Sequence, residues 1–128
     1  MTISAAYPVG TPGHPWGPDE VAAWRARQVR RRSYAADVVD RIEALRPRYE
    51  VLQYGRLDYQ PDGYPLFALQ SRTWRDGLPV ALVTGGVHGY ETSGVAGALA
   101  FAEMQAAMFA GRLNLVVAPC VSPWAYEH

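Results

Sequence analysis

The chain has 128 residues and a mass of 14.1 kDa, enough for one modest domain around a single core. Hydrophobic residues make up 49 % and charged residues 19 %, a composition that excludes intrinsic disorder. Twelve basic residues balance twelve acidic ones, so the basic excess of a nucleic-acid or anionic-membrane binder is missing and neither partner is expected.

In chain order, residues 1–18 read as an extended arm rich in Pro and Gly, either a lid or a surface wrap. The opening run MTISAAYPVGTPGHPWG has neither the basic start nor the apolar stretch of a signal peptide, and a cytoplasmic location is expected. His14 lies in this arm between Gly13 and Pro15 and carries no expected chemistry. From Asp19 the pattern turns helical, with Asp19 and Glu20 where the helix dipole favours acids. Ser33 is expected to cap a second helix, whose Val38, Val39, Ile42 and Leu45 recur at helical spacing until Pro47. Arg30, Arg31 and Arg32 in the join read as a solvated face rather than an anion site.

The period then changes. Residues 49–54 and 64–69 are expected as two strands around a Pro61-Asp62-Gly63 turn. Residues 78–84, LPVALVT, form the continuous apolar run of a strand buried on both faces. A helix over residues 92–110 ends at Gly111, and residues 113–120, LNLVVAPC, give a further strand. Strand, helix and strand make a βαβ unit, so the two strands are expected to be parallel. The fold class is then α/β: a mixed, partly parallel sheet flanked by helices. Ligand sites in such sheets lie beyond the strands' C-terminal ends.

There the sequence reads GGVHGYE. His88 follows the buried strand and Glu91 opens the next helix, three residues on, so both side chains can face one point. Zinc takes neutral imidazole and carboxylate ligands, commonly two His and one carboxylate plus water in hydrolytic sites. The bland alternative has His88 ending a strand and Glu91 complementing the helix dipole. Gly85, Gly86 and Gly89 let the backbone turn sharply and a substrate come close.

In context, LVTGGVHGYETSG resembles the first metal-binding segment of zinc carboxypeptidases of the M14 type. YGRLDY and YPLFALQSR resemble that family's opening strands, and NLVVAPCVSPWAYEH its next strand and turn. WRARQVRRRSYAADVVDRIEAL is similar to the N-terminal helices of its bacterial branch. The resemblance implies that His88 and Glu91 bind zinc and that residues 19–128 are the N-terminal portion of the catalytic domain. It also implies a third ligand, a general-base Glu and substrate-binding Arg residues downstream of His128. The 128-residue chain alone is therefore expected to be inactive.

Several residues have two readings. Gly89, Ser122, Trp124 and Tyr126 are candidates to line a substrate cleft, with ordinary packing favoured for Trp124 and Tyr126. His128 as a third ligand and Glu127 as a base are weaker candidates, the latter set against a solvated turn carboxylate. Cys120 fits a buried apolar role better than a thiolate one. The leading functional expectation is a metallocarboxypeptidase acting on peptides. The alternatives are a zinc amidohydrolase of the aspartoacylase and succinylglutamate desuccinylase kind, acting on N-acyl amino acids, and a non-catalytic binding module. Self-association through an exposed apolar sheet edge is also expected.

Overall fold

The structure is a computed structural model that describes residues 8–58 and 63–128. Pro18–Ala26 forms helix α1, opened by Pro18 and by Glu20, whose Oε2 accepts the Gly17 N–H (2.8 Å). None of its residues is buried. Ser33 does act as a cap: its Oγ accepts the Ala36 N–H (3.1 Å), while Asp37 Oδ2 accepts the Ser33 N–H (3.1 Å). A π-helical turn, Ala35–Val39, leads into α2, Asp40–Ala44. Val38, Ile42 and Leu45 recur at helical spacing and are buried on one face.

Strands β1 (Tyr49–Leu57) and β2 (Tyr64–Ser71) pair antiparallel, with a register shift between Gln53 and Gly55. The Pro61-Asp62 half of the expected turn lies outside the described residues; Gly63 follows it with φ +57°. β3 (Val80–Thr84) and β4 (Asn114–Ala118) are parallel, joined through α3 (Thr92–Ala100), as the βαβ pattern requires. The sheet order is β1-β2-β4-β3, with β2 and β4 antiparallel.

Register explains the core. Val51 pairs with Leu69, Leu69 with Val117, and Val117 with Val83, which places one apolar row across all four strands. That row meets Val38, Ile42, Val95 and Leu99 from the helices. Among the described residues, β4 is buried nearly throughout, whereas along β3 alternate residues are exposed. Here the expectation of a strand buried on both faces fails: β3 is an edge strand, with Val80 and Leu82 60 % and 66 % exposed. Apolar continuity cannot by itself distinguish two covered faces from one covered and one bare.

The helix expected over residues 92–110 is also not uniform. After α3 it widens into a π turn, Phe101–Gln105, and tightens into a 3₁₀ turn, Ala106–Phe109. Within the widened turn the Ala102 carbonyl accepts the Tyr49 hydroxyl (2.7 Å). Arg41 of α2 grips Glu103 with two hydrogen bonds (2.9 and 2.8 Å). Among the described residues no helix is long and apolar enough to cross a membrane.

Candidate metal centre

The parallel strands β3 and β4 continue side by side beyond their ends. Gly85 N–H donates to the Ala118 carbonyl (2.9 Å), Val121 N–H to that of Gly85 (3.0 Å), and Ser122 N–H to that of Gly86 (3.1 Å). Two glycines are required by this close approach. A Cβ on Gly85 would stand 2.5 Å from the Gly94 carbonyl oxygen and 2.6 Å from that of Pro119. Gly86 has φ +63°, and a Cβ there would meet Val95. The two strand ends are thereby locked together beneath the loop that follows.

That loop carries the predicted pair. His88 to Glu91 closes a turn in which Glu91 N–H donates to the His88 carbonyl (2.9 Å). His88 Nδ1 and Glu91 Oε2 stand 3.7 Å apart, on side chains 69 % and 57 % exposed. Glu91 occupies the N-cap position of α3 but makes no side-chain capping hydrogen bond. The His88 ring lies parallel to Tyr90, 6.4 Å between centroids. Thr84, Gly85, Gly86, Val87, Ser93 and Gly94 complete a shallow hollow around the pair.

The pair fits two ligands of a zinc ion: one imidazole nitrogen and one carboxylate oxygen, convergent and open to solvent. Among the described residues no group of three His, Cys, Asp or Glu comes together, so this fit covers two donors only. His128 does not join them. It stacks on Trp124 (4.6 Å between centroids), and its Nδ1 lies 2.8 Å from the Trp124 carbonyl oxygen.

The other predicted positions divide sharply. Gly89, between the two candidate ligands, is buried against helix α4 (Pro123–Glu127), where a Cβ would collide with the Ser122 carbonyl and the Tyr126 amide. Ser122 is half-buried and engages through its backbone. Trp124 packs on Trp24 of α1, and Tyr126 is buried with its hydroxyl toward Asp37 (3.4 Å). These aromatics therefore pack rather than line the hollow. Cys120 is buried, and desolvation pushes its thiol up to about 11 despite the Ser122 N–H acting the other way. It stays a thiol at neutral pH.

Two readings of charged residues need correction. Glu127 is neither a solvated turn carboxylate nor free to act as a base: it is 3 % exposed, and its carboxylate accepts from Arg30, Tyr34 and Tyr64. The Arg triplet is accordingly no plain solvated face, because Arg30 pairs with Glu127 and Arg32 donates to the Tyr126 carbonyl (3.0 Å). Asn114 went unforeseen altogether. It is buried, and its amide bonds both the N–H (2.9 Å) and the carbonyl (2.8 Å) of Arg75.

A four-stranded, partly parallel sheet flanked by helices is a carboxypeptidase-like fold. No family model and no curated protein matches the sequence. Solved structures do match. A candidate metallopeptidase from Shewanella amazonensis aligns over 79 % of this chain and 40 % of its own, at 26 % identity and a TM-score of 0.58. One from Shewanella denitrificans aligns over 74 % of this chain and 35 % of its own, at 28 % identity and a TM-score of 0.54. Bovine thrombin-activatable fibrinolysis inhibitor, solved in complex with tick carboxypeptidase inhibitor, aligns over 85 % of this chain and 31 % of its own. At 16 % identity and a TM-score of 0.54 it is a likeness of fold alone. The chain thus spans 40 % or less of the length of these structures.

Proposed function

We propose that this chain supplies two metal ligands, His88 and Glu91, of a zinc-dependent hydrolase: an M14-type metallocarboxypeptidase that releases C-terminal residues from peptides. The observation that carries the reading is the 3.7 Å approach of His88 Nδ1 to Glu91 Oε2 on a loop framed by glycines. Likeness to candidate metallopeptidases at 26 % and 28 % identity supports it. When bound, zinc would polarise a carbonyl and lower the pKa of a water molecule.

This chain's own residues have distinct tasks in that scheme. His88 and Glu91 present one nitrogen and one oxygen donor from a single short turn. Gly85 and Gly86 hold the turn against the end of β4, and Gly94 packs next to Gly86 beneath the hollow. Val87 and Tyr90 stand exposed beside the loop and offer an apolar flank to substrate. The further ligand, the general base and the substrate-binding Arg belong, on this reading, to sequence outside the described residues.

The test is turnover by the full-length protein of blocked dipeptides and of N-acyl amino acids, with and without chelator. Chelator-sensitive release of a C-terminal residue is expected. Turnover of N-acyl amino acids alone would replace the peptidase with the amidohydrolase reading.

A further inference from the structure

Glu127 draws three separate parts of the chain together. Its Oε1 accepts Arg30 Nη2 (2.5 Å) and the Tyr34 N–H (2.8 Å), and its Oε2 accepts the Tyr64 hydroxyl (2.9 Å). Its backbone carbonyl accepts the N–H groups of Arg31 (2.6 Å) and Arg32 (3.3 Å). A carboxylate removed from water needs this compensation. Residues 30–34, β2 and α4 are consequently fastened around one side chain.

Helix α4 is also the seat of the candidate metal loop. Gly89 packs on it so closely that a Cβ would stand 2.5 Å from the Ser122 carbonyl oxygen, and the segment leading into α4 is hydrogen-bonded to Gly85 and Gly86. His88, by contrast, stands 3.7 Å from Glu91 and parallel to Tyr90, and among the described residues neither ligand candidate has a further side-chain hydrogen bond. The backbone beneath them packs on α4, and α4 is fastened through Glu127 together with the Arg32–Tyr126 hydrogen bond and the Trp24–Trp124 contact.

We propose that Glu127 is a positioning residue for the His88–Glu91 pair, acting through α4, with residues 30–34 as the clasp that holds it. The proposal rests on reading that pair as metal ligands. Coupling of this kind is reciprocal: zinc on the loop favours the closed clasp as much as the clasp favours zinc.

The experiment measures zinc affinity of the full-length protein by chelator competition, together with amide hydrogen exchange at Arg31, Arg32 and Tyr34. Glu127→Ala is expected to weaken zinc binding about tenfold or more, the range for residues that orient metal ligands. Glu127→Gln, which keeps an acceptor for Arg30 and Tyr34, is expected to recover part of the loss. Zinc is expected to slow exchange at the three amides in the unmutated protein. Should Glu127→Ala not fold, Arg30→Ala and Tyr64→Phe decide, since each removes a single donor; each is expected to weaken zinc several-fold. Folded variants that bind zinc within twofold of the parent, with exchange indifferent to zinc, would overturn the proposal. His88→Ala separates the two claims. If it loses zinc while the clasp variants keep it, only positioning falls; if it keeps zinc, the metal reading falls and this inference with it.

Discussion

His88 and Glu91 owe their meeting to residues that have no side chain. Gly85, Gly86 and Gly89 each stand where a Cβ would strike neighbouring atoms, and two of those collisions are with backbone that has no rotamer to yield. Gly89→Ala is therefore expected to lower zinc affinity of the full-length protein about tenfold or more, by lifting the loop off α4. Gly97, on α3 with open space around its Cα, is the control: Gly97→Ala should raise stability by about 0.4–1 kcal/mol and leave zinc affinity unchanged. Chelator competition and thermal melts read both. The candidate pair was legible because its partners are three residues apart, within one turn. Glu127 was not, because its donors Arg30, Tyr34 and Tyr64 lie 97, 93 and 63 residues away. Locally, a Glu after Trp-Ala-Tyr looks like any exposed acid.

At the scale of elements, the helix layer is tied by an ion pair as well as by its core. Arg41 hydrogen-bonds Glu103 and holds its carboxyl below the usual range. A lowered pKa in the folded state gives stability that is complete above the ordinary carboxylate range and is lost as pH falls through the lowered value. The side chains are 40 % and 34 % exposed, so screening keeps the effect within about 1 kcal/mol. Denaturation of Glu103→Gln beside the parent checks this: a small deficit near pH 7 should vanish in acid. A deficit that persists there would mean the hydrogen bonds do not depend on the charge. Elements were read well where the signal was local, as with Ser33 capping the second helix and the parallel β3 and β4 joined by α3. The π turn Phe101–Gln105 was not, as its Ala102 carbonyl and Glu103 carboxylate bond Tyr49 and Arg41, 53 and 62 residues away.

For the whole molecule, the exposed residues of the edge strand are decisive. Leu52, Val80 and Leu82 remain exposed on the strands, and β3 is an edge. The 128-residue chain is expected to self-associate, with sedimentation that depends on concentration, and Leu82→Lys should reduce the effect. A sharp monomer at every concentration would contradict this. Composition and period were enough to place the sheet, its helices and the His88–Glu91 loop beyond the strand ends. They could not say that β3 lies at an edge, since LPVALVT reads the same at an edge or at the centre of a sheet.

Whether the His88–Glu91 turn holds a metal decides the proposed function. The direct measurement is zinc content of the purified full-length protein, by elemental analysis, beside His88→Ala and Glu91→Ala. One zinc per chain is predicted for the parent and near-complete loss for both variants, with folding unchanged because both side chains are largely exposed. A parent without zinc, or variants that retain it in full, would contradict the assignment of these two residues.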